Sequence, residues 1–337
     1  MENKNTKKMI RNFIVFTLLI VLTLWVMLKD QDAGKIFELI GKSQGRFIAI
    51  GMTCMCIYVV LEAINIGRTL KILGEKSSFL KNVKYALIGL FFSGITPAAS
   101  GGQPMQIYYM HKEGITVSRS TLALLINLTS MQVVTISVAL VSMLFNYRYM
   151  NQVLIVLFVI GIGLNISALM LLLIAVFSRR LSRGLMKLVI KIMKVLRIKN
   201  IELKIKKIGR ELRNYQISAK YIKSNKKLMV KILLTTLVQF LIYYSTAYWT
   251  YRALGFDEYH IMEIVTMQSV LFATVSGIPS PGSVGVSEGA FVEIFRNVYP
   301  EQMIKSATIL NRGINFYVPM LVSGIVVIIN EIKNKKL

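Results

Sequence analysis

Ionisable side chains inside apolar segments are the first candidates for chemistry in this sequence. Arg312 lies in an apolar segment near the carboxyl end with Asn311 beside it, and Glu62 lies in one near the amino end. A charge in the middle of a bilayer costs several kcal/mol unless it is paired or hydrated, so each charged residue is a functional candidate. Because a guanidinium binds a phosphodiester through two hydrogen bonds, Arg312 is a candidate anion-binding residue. An internal ion pair of Arg312 with Glu288 or Glu62 fits the sequence equally well.

Two segments rich in glycine, proline and serine interrupt apolar helices at residues 93–104 and 276–288. Proline removes a backbone donor and glycine weakens a helix, so neither segment can continue as one helical rod. A gapless alignment gives the identical pairs Ser93/Ser276, Gly94/Gly277, Ile95/Ile278, Ser100/Ser283 and Gly102/Gly285. Paired interruptions in the two halves of a membrane chain indicate a transport site.

A new helix is expected to begin at mid-depth after each interruption, with its first backbone N–H groups unpaired. Such a helix start favours an anion, for example a phosphate, through its N–H groups and the helix dipole. Glu288 is also well placed to cap the second helix start. Glu62 and Asn311 are candidates for coupling transport to an ion or for pairing with another polar residue of the site. The candidate anion-binding residues are Thr96, Ser100, Gly101, Gly102, Gln103, Ser283, Gly285, Ser287, Glu288 and Arg312.

The sequence offers no arrangement typical of a catalytic or metal site. The histidines, His111 and His260, are far apart and fall on opposite membrane faces in the predicted topology. Cys54 and Cys56 lie two residues apart in one apolar segment, which gives neither a disulfide framework nor a zinc spacing. A glycine-rich phosphate loop is also absent from the sequence. We therefore predict no catalytic residue, no metal and no cofactor, and no use of ATP.

Composition indicates a membrane protein. The 337 residues are 54% hydrophobic, with a mean hydropathy of +0.57 and a net charge of +25. Long apolar runs separated by basic loops predict an all-α, polytopic helical bundle and exclude a soluble domain. Lysine and arginine concentrate at membrane flanks, where anionic lipids attract them, so the charge does not imply nucleic acid.

The apolar runs predict spans with interrupted segments between them. Basic loops tend to stay cytoplasmic. Counting the crossings, all the basic loops here are cytoplasmic only if each interrupted segment enters and leaves the membrane on the same face. This count predicts two re-entrant hairpins that enter from opposite faces, as inverted repeats within a single transmembrane domain, 1–337. The first repeat covers about 47–177 and the second about 228–330, with both termini cytoplasmic. The predicted spans are about 10–28, 47–66, 121–145, 153–177, 228–251 and 306–329, and the interrupted segments about 81–110 and 261–295.

The connection at 178–227 is strongly basic. From Arg179 to Lys227 it holds 17 lysines and arginines against Glu202 and Glu211. Apolar residues between positions 185 and 196 recur on one helical face, with lysines opposite. The pattern predicts an amphipathic helix that lies on an anionic lipid surface. A role confined to fixing the topology fits the same pattern.

Three motifs together carry a family resemblance. Residues 96–104, 278–290 and 311–319 resemble, in order and spacing, the flippase-like membrane region of lysylphosphatidylglycerol synthases. The resemblance implies that, in the bifunctional members, a soluble aminoacyltransferase domain makes lysylphosphatidylglycerol. The membrane region then carries the lipid to the outer leaflet, which protects against cationic peptides. The sequence ends at Leu337 without such a domain, so we expect no synthase activity from this chain by itself.

The resemblance and the residues together give a leading hypothesis. It is a lipid translocase of the bacterial cytoplasmic membrane that moves a phosphate-headgroup lipid, with aminoacyl-phosphatidylglycerol as the first candidate. The candidate anion-binding residues would then hold the lipid headgroup. One alternative is a membrane scaffold for a separate lipid-modifying enzyme. Others are a lysyltransferase-family protein with a residual role in lipid aminoacylation, and an ion-coupled exporter with Glu62 and Glu288 as proton sites.

Overall fold

The computed structural model describes residues 40–97, 99–146, 152–177, 224–278, 280 and 282–335, with isolated residues 38, 184, 209, 213, 215–217 and 219–221. The described part contains helices and turns and no β-strand. The predicted span at 10–28 and the amphipathic helix at 185–196 lie outside the described residues. The helices are α1 (Gly45–Ile72), α2 (Phe79–Gly94), α3 (Gly102–Lys112), α4 (Val117–Asn146), α5 (Gln152–Phe177), α6 (Lys226–Ala253), α7 (Ile261–Val275), α8 (Val286–Ile294), α9 (Glu301–Arg312) and α10 (Val318–Lys335).

Long apolar helices dominate the described part. Helices α1, α4, α5 and α6 are each long and apolar enough to cross a membrane, and so is the continuous stretch Glu301–Glu331 formed by α9 and α10. Large apolar side chains point outward on these helices, including Leu144, Leu171 and Ile325. An outward apolar surface of this extent suits lipid contact and is rare on soluble monomers. The chain is therefore an all-α, polytopic membrane protein, as the composition predicts.

Helices α1 and α6 form an antiparallel central pair. Near the end of α1, Asn65 Nδ2 donates to Thr236 Oγ1 at 3.0 Å. At the opposite end, the backbone N–H of Gln44 donates to the carbonyl of Ala253 at 2.8 Å. We call the end of the bundle that holds Ile72 and the start of α6 the first end, and the end that holds Gln44 and Ala253 the second end.

Helices α2 and α3 fold back on each other and form the first hairpin, residues 79–112. Gln106 Nε2 on α3 donates to the carbonyl of Tyr85 on α2 at 3.0 Å. Glu113, just after α3, forms an ion pair with Lys84 and lies 3.4 Å from Lys81 Nζ near the start of α2. The first hairpin therefore begins and finishes at the first end of the bundle.

Helices α7 and α8 form the second hairpin, residues 261–294, at the other end. Before α7, Tyr259 Oη donates to the carbonyl of Asn297, which follows α8, at 3.1 Å. The ring of Tyr299 also packs 5.7 Å from the ring of Tyr251 near the end of α6. The second hairpin therefore begins and finishes at the second end. The two hairpins occupy opposite ends, and their depth in a bilayer stays a prediction.

Each hairpin has an apolar core of its own. The core of the first hairpin joins α2 and α3 to α1 and α4, with Ile66, Tyr85 and Met110 fully buried. The core of the second hairpin joins α7 and α8 to α6, and the rings of Phe291 and Phe295 stack in it at 4.4 Å. Burial of these side chains packs each hairpin, near the end where it begins and finishes, against the long helices.

Candidate functional site

A threonine side chain closes the turn of the first hairpin. Thr96 Oγ1 donates to the carbonyl of Phe92 at 2.6 Å and accepts from the backbone N–H of Gly101 at 2.8 Å. Ala99 has a φ of 53°, in the left-handed region. The turn thus satisfies a carbonyl at the end of α2 and an N–H at the start of α3 with a single hydroxyl.

The turn of the second hairpin has a related backbone. Gly282 aligns with Ala99 and has a φ of 59°, so both turns enter the left-handed region at the same aligned position. Ser283 and Gly285 follow with φ values of 53° and 84°. A left-handed Ser283 is unusual for a residue with a side chain, and such strain is concentrated at functional segments.

The tips of the two hairpins meet. A Cβ atom added to Gly282 would lie 3.0 Å from the carbonyl oxygen of Gly94 and 2.2 Å from Phe316 Cζ. A Cβ atom added to Gly94 would lie 3.6 Å from Phe316 Cε2. The Phe316 ring therefore packs where a chain segment from one end of the bundle reaches a segment from the other.

Phe316 belongs to a π-helical turn, Gly313–Tyr317, that separates α9 from α10. A π-turn inserts an extra residue into a helix and is common at functional sites. It places the Phe316 ring 4.1 Å from the Cζ atom of Arg312, so that the guanidinium lies over the ring. The last span is thus interrupted at the level where the hairpin tips meet.

Arg312 forms a buried ion pair with Glu288, and we call the group around it the arginine cluster. Arg312 Nε donates to Glu288 Oε1 and Nη2 donates to the carbonyl of Gly282, each at 2.9 Å. Tyr317 Oη donates to Glu288 Oε1 at 3.0 Å, and the backbone N–H of Gly285 donates to Glu288 Oε2 at 2.7 Å. The side chains of Arg312 and Glu288 are only 7% and 3% exposed.

The arginine cluster is therefore a built anion site whose anion is a carboxylate of the chain itself. A guanidinium, a phenol and a helix-start N–H converge on Glu288, as they would on a phosphate. Of the two interpretations of Arg312 left open by the sequence, the ion pair with Glu288 is present in the structure. The same contacts include the cap that Glu288 was predicted to form on α8.

The other predicted residues of the first hairpin lie at its tip. Gly101 packs against Thr96, and Gly102 is buried so closely that an added Cβ would lie 2.1 Å from Ser93 Oγ. Ser100 is exposed and Gln103 is partly exposed at the start of α3. Among the described residues, none of these makes a hydrogen bond to Arg312, so the first hairpin approaches the arginine cluster through packing at Gly94.

Other predicted residues are placed in three different ways. Ser283 Oγ lies 3.5 Å from the carbonyl of Val275, and Ser287 is buried in the first turn of α8. Asn311 is buried and accepts from Thr250 on α6 at 3.4 Å. Glu62 contacts neither Arg312 nor Glu288 in the described part of the chain.

Glu62 lies instead in a second polar group between α1, α4 and α6. Asn127 Nδ2 donates to Glu62 Oε1 at 3.3 Å, and Gln239 Nε2 donates to Glu62 Oε2 at 3.1 Å. Gln239 here and Tyr317 in the arginine cluster were not predicted from the sequence. Both are polar residues in apolar spans, and this feature of the sequence could have indicated them.

Comparison with known proteins identifies the family. A family model described as "Lysylphosphatidylglycerol synthase TM region" matches residues 13–323. The chain belongs to this family. It is also similar to "UPF0104 membrane protein PH1989" from Pyrococcus horikoshii, with 26% identity over 342 residues that cover 98% of each chain.

The three motifs behind the resemblance lie at the two hairpin tips and at the π-turn. Residues 96–104 form the first tip and the start of α3, and residues 278–290 form the second tip and the start of α8. Residues 311–319 carry Arg312 and the π-turn. The second and third motifs meet in the arginine cluster, where Arg312 contacts Glu288 and Gly282. Gly94, two residues before the first motif, packs against the Phe316 ring.

Proposed function

We propose that this chain is a lipid translocase that moves a phosphate-headgroup lipid between the leaflets of a bacterial cytoplasmic membrane. One observation carries the proposal. At the meeting point of two broken helices, an anion, the Glu288 carboxylate, is held by Arg312, Tyr317 and a helix-start N–H. The family name supports an aminoacylated phosphatidylglycerol as the first candidate substrate.

The headgroup phosphate would bind by exchange with Glu288. A phosphodiester carries one negative charge, as the carboxylate does, so Arg312 would be paired with an anion both before and after the exchange. This matters because a buried guanidinium without its partner costs about 3–5 kcal/mol. The displaced Glu288 would keep the hydrogen bond from the Gly285 N–H. Glu288 would return to Arg312 when the lipid leaves, which would restore the paired state seen here.

The hairpin arrangement supports access from both sides. Each hairpin reaches the arginine cluster from a different end of the bundle, so a displacement of either tip would open the cluster toward that end alone. The acyl chains would remain in the bilayer, and only the polar headgroup would need a protein path. Helix starts at mid-depth are a recurrent device of transporters that bind anionic substrates.

The distribution of charge supports an orientation for the proposal. The first end carries Lys81, Lys84 and Lys226, whereas the second end carries Asp257 and Glu258, both exposed. Positively charged loops favour the cytoplasmic side. We therefore place the first end in the cytoplasm, in agreement with cytoplasmic termini, and we expect the basic connection 178–227 to bind anionic lipid there.

The test is a leaflet-exchange assay with purified protein in liposomes that contain a fluorescent headgroup-labelled phosphatidylglycerol. Arg312→Ala is expected to abolish exchange, and Arg312→Lys to keep part of it, since lysine keeps the charge but loses the two-pronged geometry. Arg296→Ala is the matched control, because Arg296 is exposed at the second end. Size-exclusion profiles check that all variants fold.

Two outcomes would contradict the proposal. Normal exchange by a folded Arg312→Ala variant would remove the arginine cluster from the transport path. No exchange by the wild-type protein, across liposomes of several headgroup compositions, would favour the scaffold hypothesis, in which the chain supports a separate lipid-modifying enzyme.

A further inference from the structure

A two-layer polar group lies between α1, α4 and α6, and we call it the glutamate cluster. Each helix contributes two polar residues spaced three apart, which places both on one helical face. The first layer holds Glu62, Asn127 and Gln239, and the second layer holds the partner of each. These pairs are Glu62/Asn65 on α1, Asn127/Ser130 on α4 and Thr236/Gln239 on α6.

The second layer is tied together by the hydroxyl of Thr236. Asn65 Nδ2 donates to Thr236 Oγ1 at 3.0 Å, and Ser130 Oγ lies 3.0 Å from the same oxygen. Asn65 and Thr236 are fully buried, and Ser130 is 3% exposed. This layer connects the three helices one helical turn away from the carboxylate.

Three acceptor oxygens of the glutamate cluster are buried without a hydrogen-bond partner among the described residues. They are Asn65 Oδ1, Asn127 Oδ1 and Gln239 Oε1. A buried acceptor without a partner costs about 1–3 kcal/mol, so three within one polar group need an explanation. The residues that carry them are at most 3% exposed.

The carboxylate of Glu62 also lacks a counter-charge in the described part of the chain. Its hydrogen-bond partners are the neutral amides of Asn127 and Gln239, and it forms no ion pair there. Arg312, which the sequence offered as a partner, is paired with Glu288. Glu62 itself is partly exposed on the described surface of α1.

We infer that the glutamate cluster binds a sodium-sized monovalent cation. Carboxylate, amide and hydroxyl oxygens are the ligands that hard cations prefer, and the cluster supplies all three kinds. One carboxylate neutralises a single positive charge, whereas calcium sites use several. A half turn of the Asn127 or Gln239 amide group exchanges its donor for its acceptor and directs an oxygen to the ion.

A proton explains the cluster less well than a metal cation. Protonation of Glu62 would neutralise the charge, but it supplies one donor for three partnerless acceptors. A cation can be ligated by several of these oxygens at once. Cation binding stands independently of lipid transport. Its use to drive transport rests on the proposed function and would act through α1 and α6, the central pair.

Binding is tested on the purified full chain in detergent, by thermal unfolding and by equilibrium uptake of radioactive sodium. Sodium chloride is exchanged for choline chloride at constant ionic strength. The wild type is expected to bind sodium saturably and to unfold at a higher temperature as sodium rises. Glu62→Gln, which keeps the shape and removes the charge, is expected to weaken binding by at least about tenfold.

Two further variants sharpen the test. Glu75→Gln is the matched control, because Glu75 is a carboxylate paired with Arg119 at the first end, and its sodium response should equal that of the wild type. Gln239→Glu adds a second carboxylate beside Glu62 and is expected to shift the preference from sodium to calcium. It remains informative if Glu62→Gln folds poorly.

The outcomes separate this inference from the proposed function. Equal sodium responses in the wild type and folded Glu62→Gln would overturn the inference, and so would a wild type that responds to pH but not to sodium. Saturable, Glu62-dependent sodium binding without lipid exchange would support the cation site and contradict the translocase. Lipid exchange without sodium binding would support the translocase and contradict the cation site.

Discussion

The two hairpins share a backbone plan but differ in how their turns are stabilised. Both fold back at a Gly/Pro break, and both enter the left-handed region at the aligned residues Ala99 and Gly282. The first turn is closed by the neutral hydroxyl of Thr96. The second turn surrounds a buried ion pair, Arg312 with Glu288.

This difference shows that repetition of a fold does not repeat its chemistry. In the gapless alignment Met105 stands where the second hairpin has Glu288, so the first hairpin has no acid at that position. The charged partner of Glu288 comes from the last span, outside both hairpins. We infer that the first hairpin mainly shapes the site, while the second hairpin and the π-turn supply its charges.

The largest expected effect comes from Glu288→Ala, which leaves Arg312 as a buried charge without its partner. We expect a loss of about 3–5 kcal/mol in the free energy of unfolding. Met105→Ala at the aligned position of the first hairpin should cost clearly less, because it removes no charge partner. Thermal unfolding of both variants in detergent measures the contrast, and equal losses would break the comparison of the hairpins.

The aligned positions Gly282 and Ala99 are expected to respond with opposite signs. Gly282→Ala combines a strained φ with a Cβ 2.2 Å from Phe316 Cζ, and should destabilise the protein by about 2–3 kcal/mol. Ala99→Gly relieves a left-handed alanine and should stabilise it by up to about 1 kcal/mol. Thermal unfolding decides this, and destabilisation by Ala99→Gly would contradict the shared turn geometry.

Thr96→Val tests whether the first turn is only structural. Valine keeps the shape but loses the hydrogen bonds to Phe92 and from Gly101, so unfolding should become easier by about 1–2 kcal/mol. Thr96→Ser should restore most of this. Lipid exchange per folded molecule should change little in both variants, and a loss as large as that of Arg312→Ala would give Thr96 a direct role in the headgroup site.

The smallest effect concerns the bases of the hairpins and depends on pH. Burial alone would raise the pKa of Glu113, but hydrogen bonds from Lys84 and Tyr85 outweigh it and lower the pKa. Stability from this group is therefore present above the ordinary carboxyl pKa and is lost as the pH falls through the lowered value. Glu113→Gln should reduce the fall in unfolding temperature that the wild type shows at low pH. Tyr259→Phe, where the second hairpin begins, should leave that fall unchanged.

Much of the fold was predictable because hydropathy and charge act over long segments. The spans predicted at 47–66, 121–145, 153–177 and 228–251 lie wholly within α1, α4, α5 and α6. The last span begins at Glu301, before the predicted residue 306, because a helix turn with charged side chains precedes the apolar run. The repeat boundaries stay predictions.

The contacts of the site were less predictable, for a physical reason. Hydropathy shows that Glu62, Arg312 and Glu288 lie in or beside apolar segments, but each had several candidate partners, and only packing selects among them. The π-turn at Gly313–Tyr317 was not predicted, although Gly313 and Pro319 beside it weaken a regular helix. Asn65, Thr236 and Gln239 were missed because a single polar residue in a span indicates a helical face but not its neighbour.

The π-turn changes the direction in which the side chains of α10 point around the helix axis. One surplus residue rotates everything beyond it by about 100° about the helix axis. The sulfur of Met320, next to Gly94, owes its direction to that rotation. Removing a single residue between 313 and 317 would turn Met320 and Gly324 away from Gly94 and Phe91 of the first hairpin while leaving Arg312 in place. The extra residue therefore sets which face of α10 meets the first hairpin.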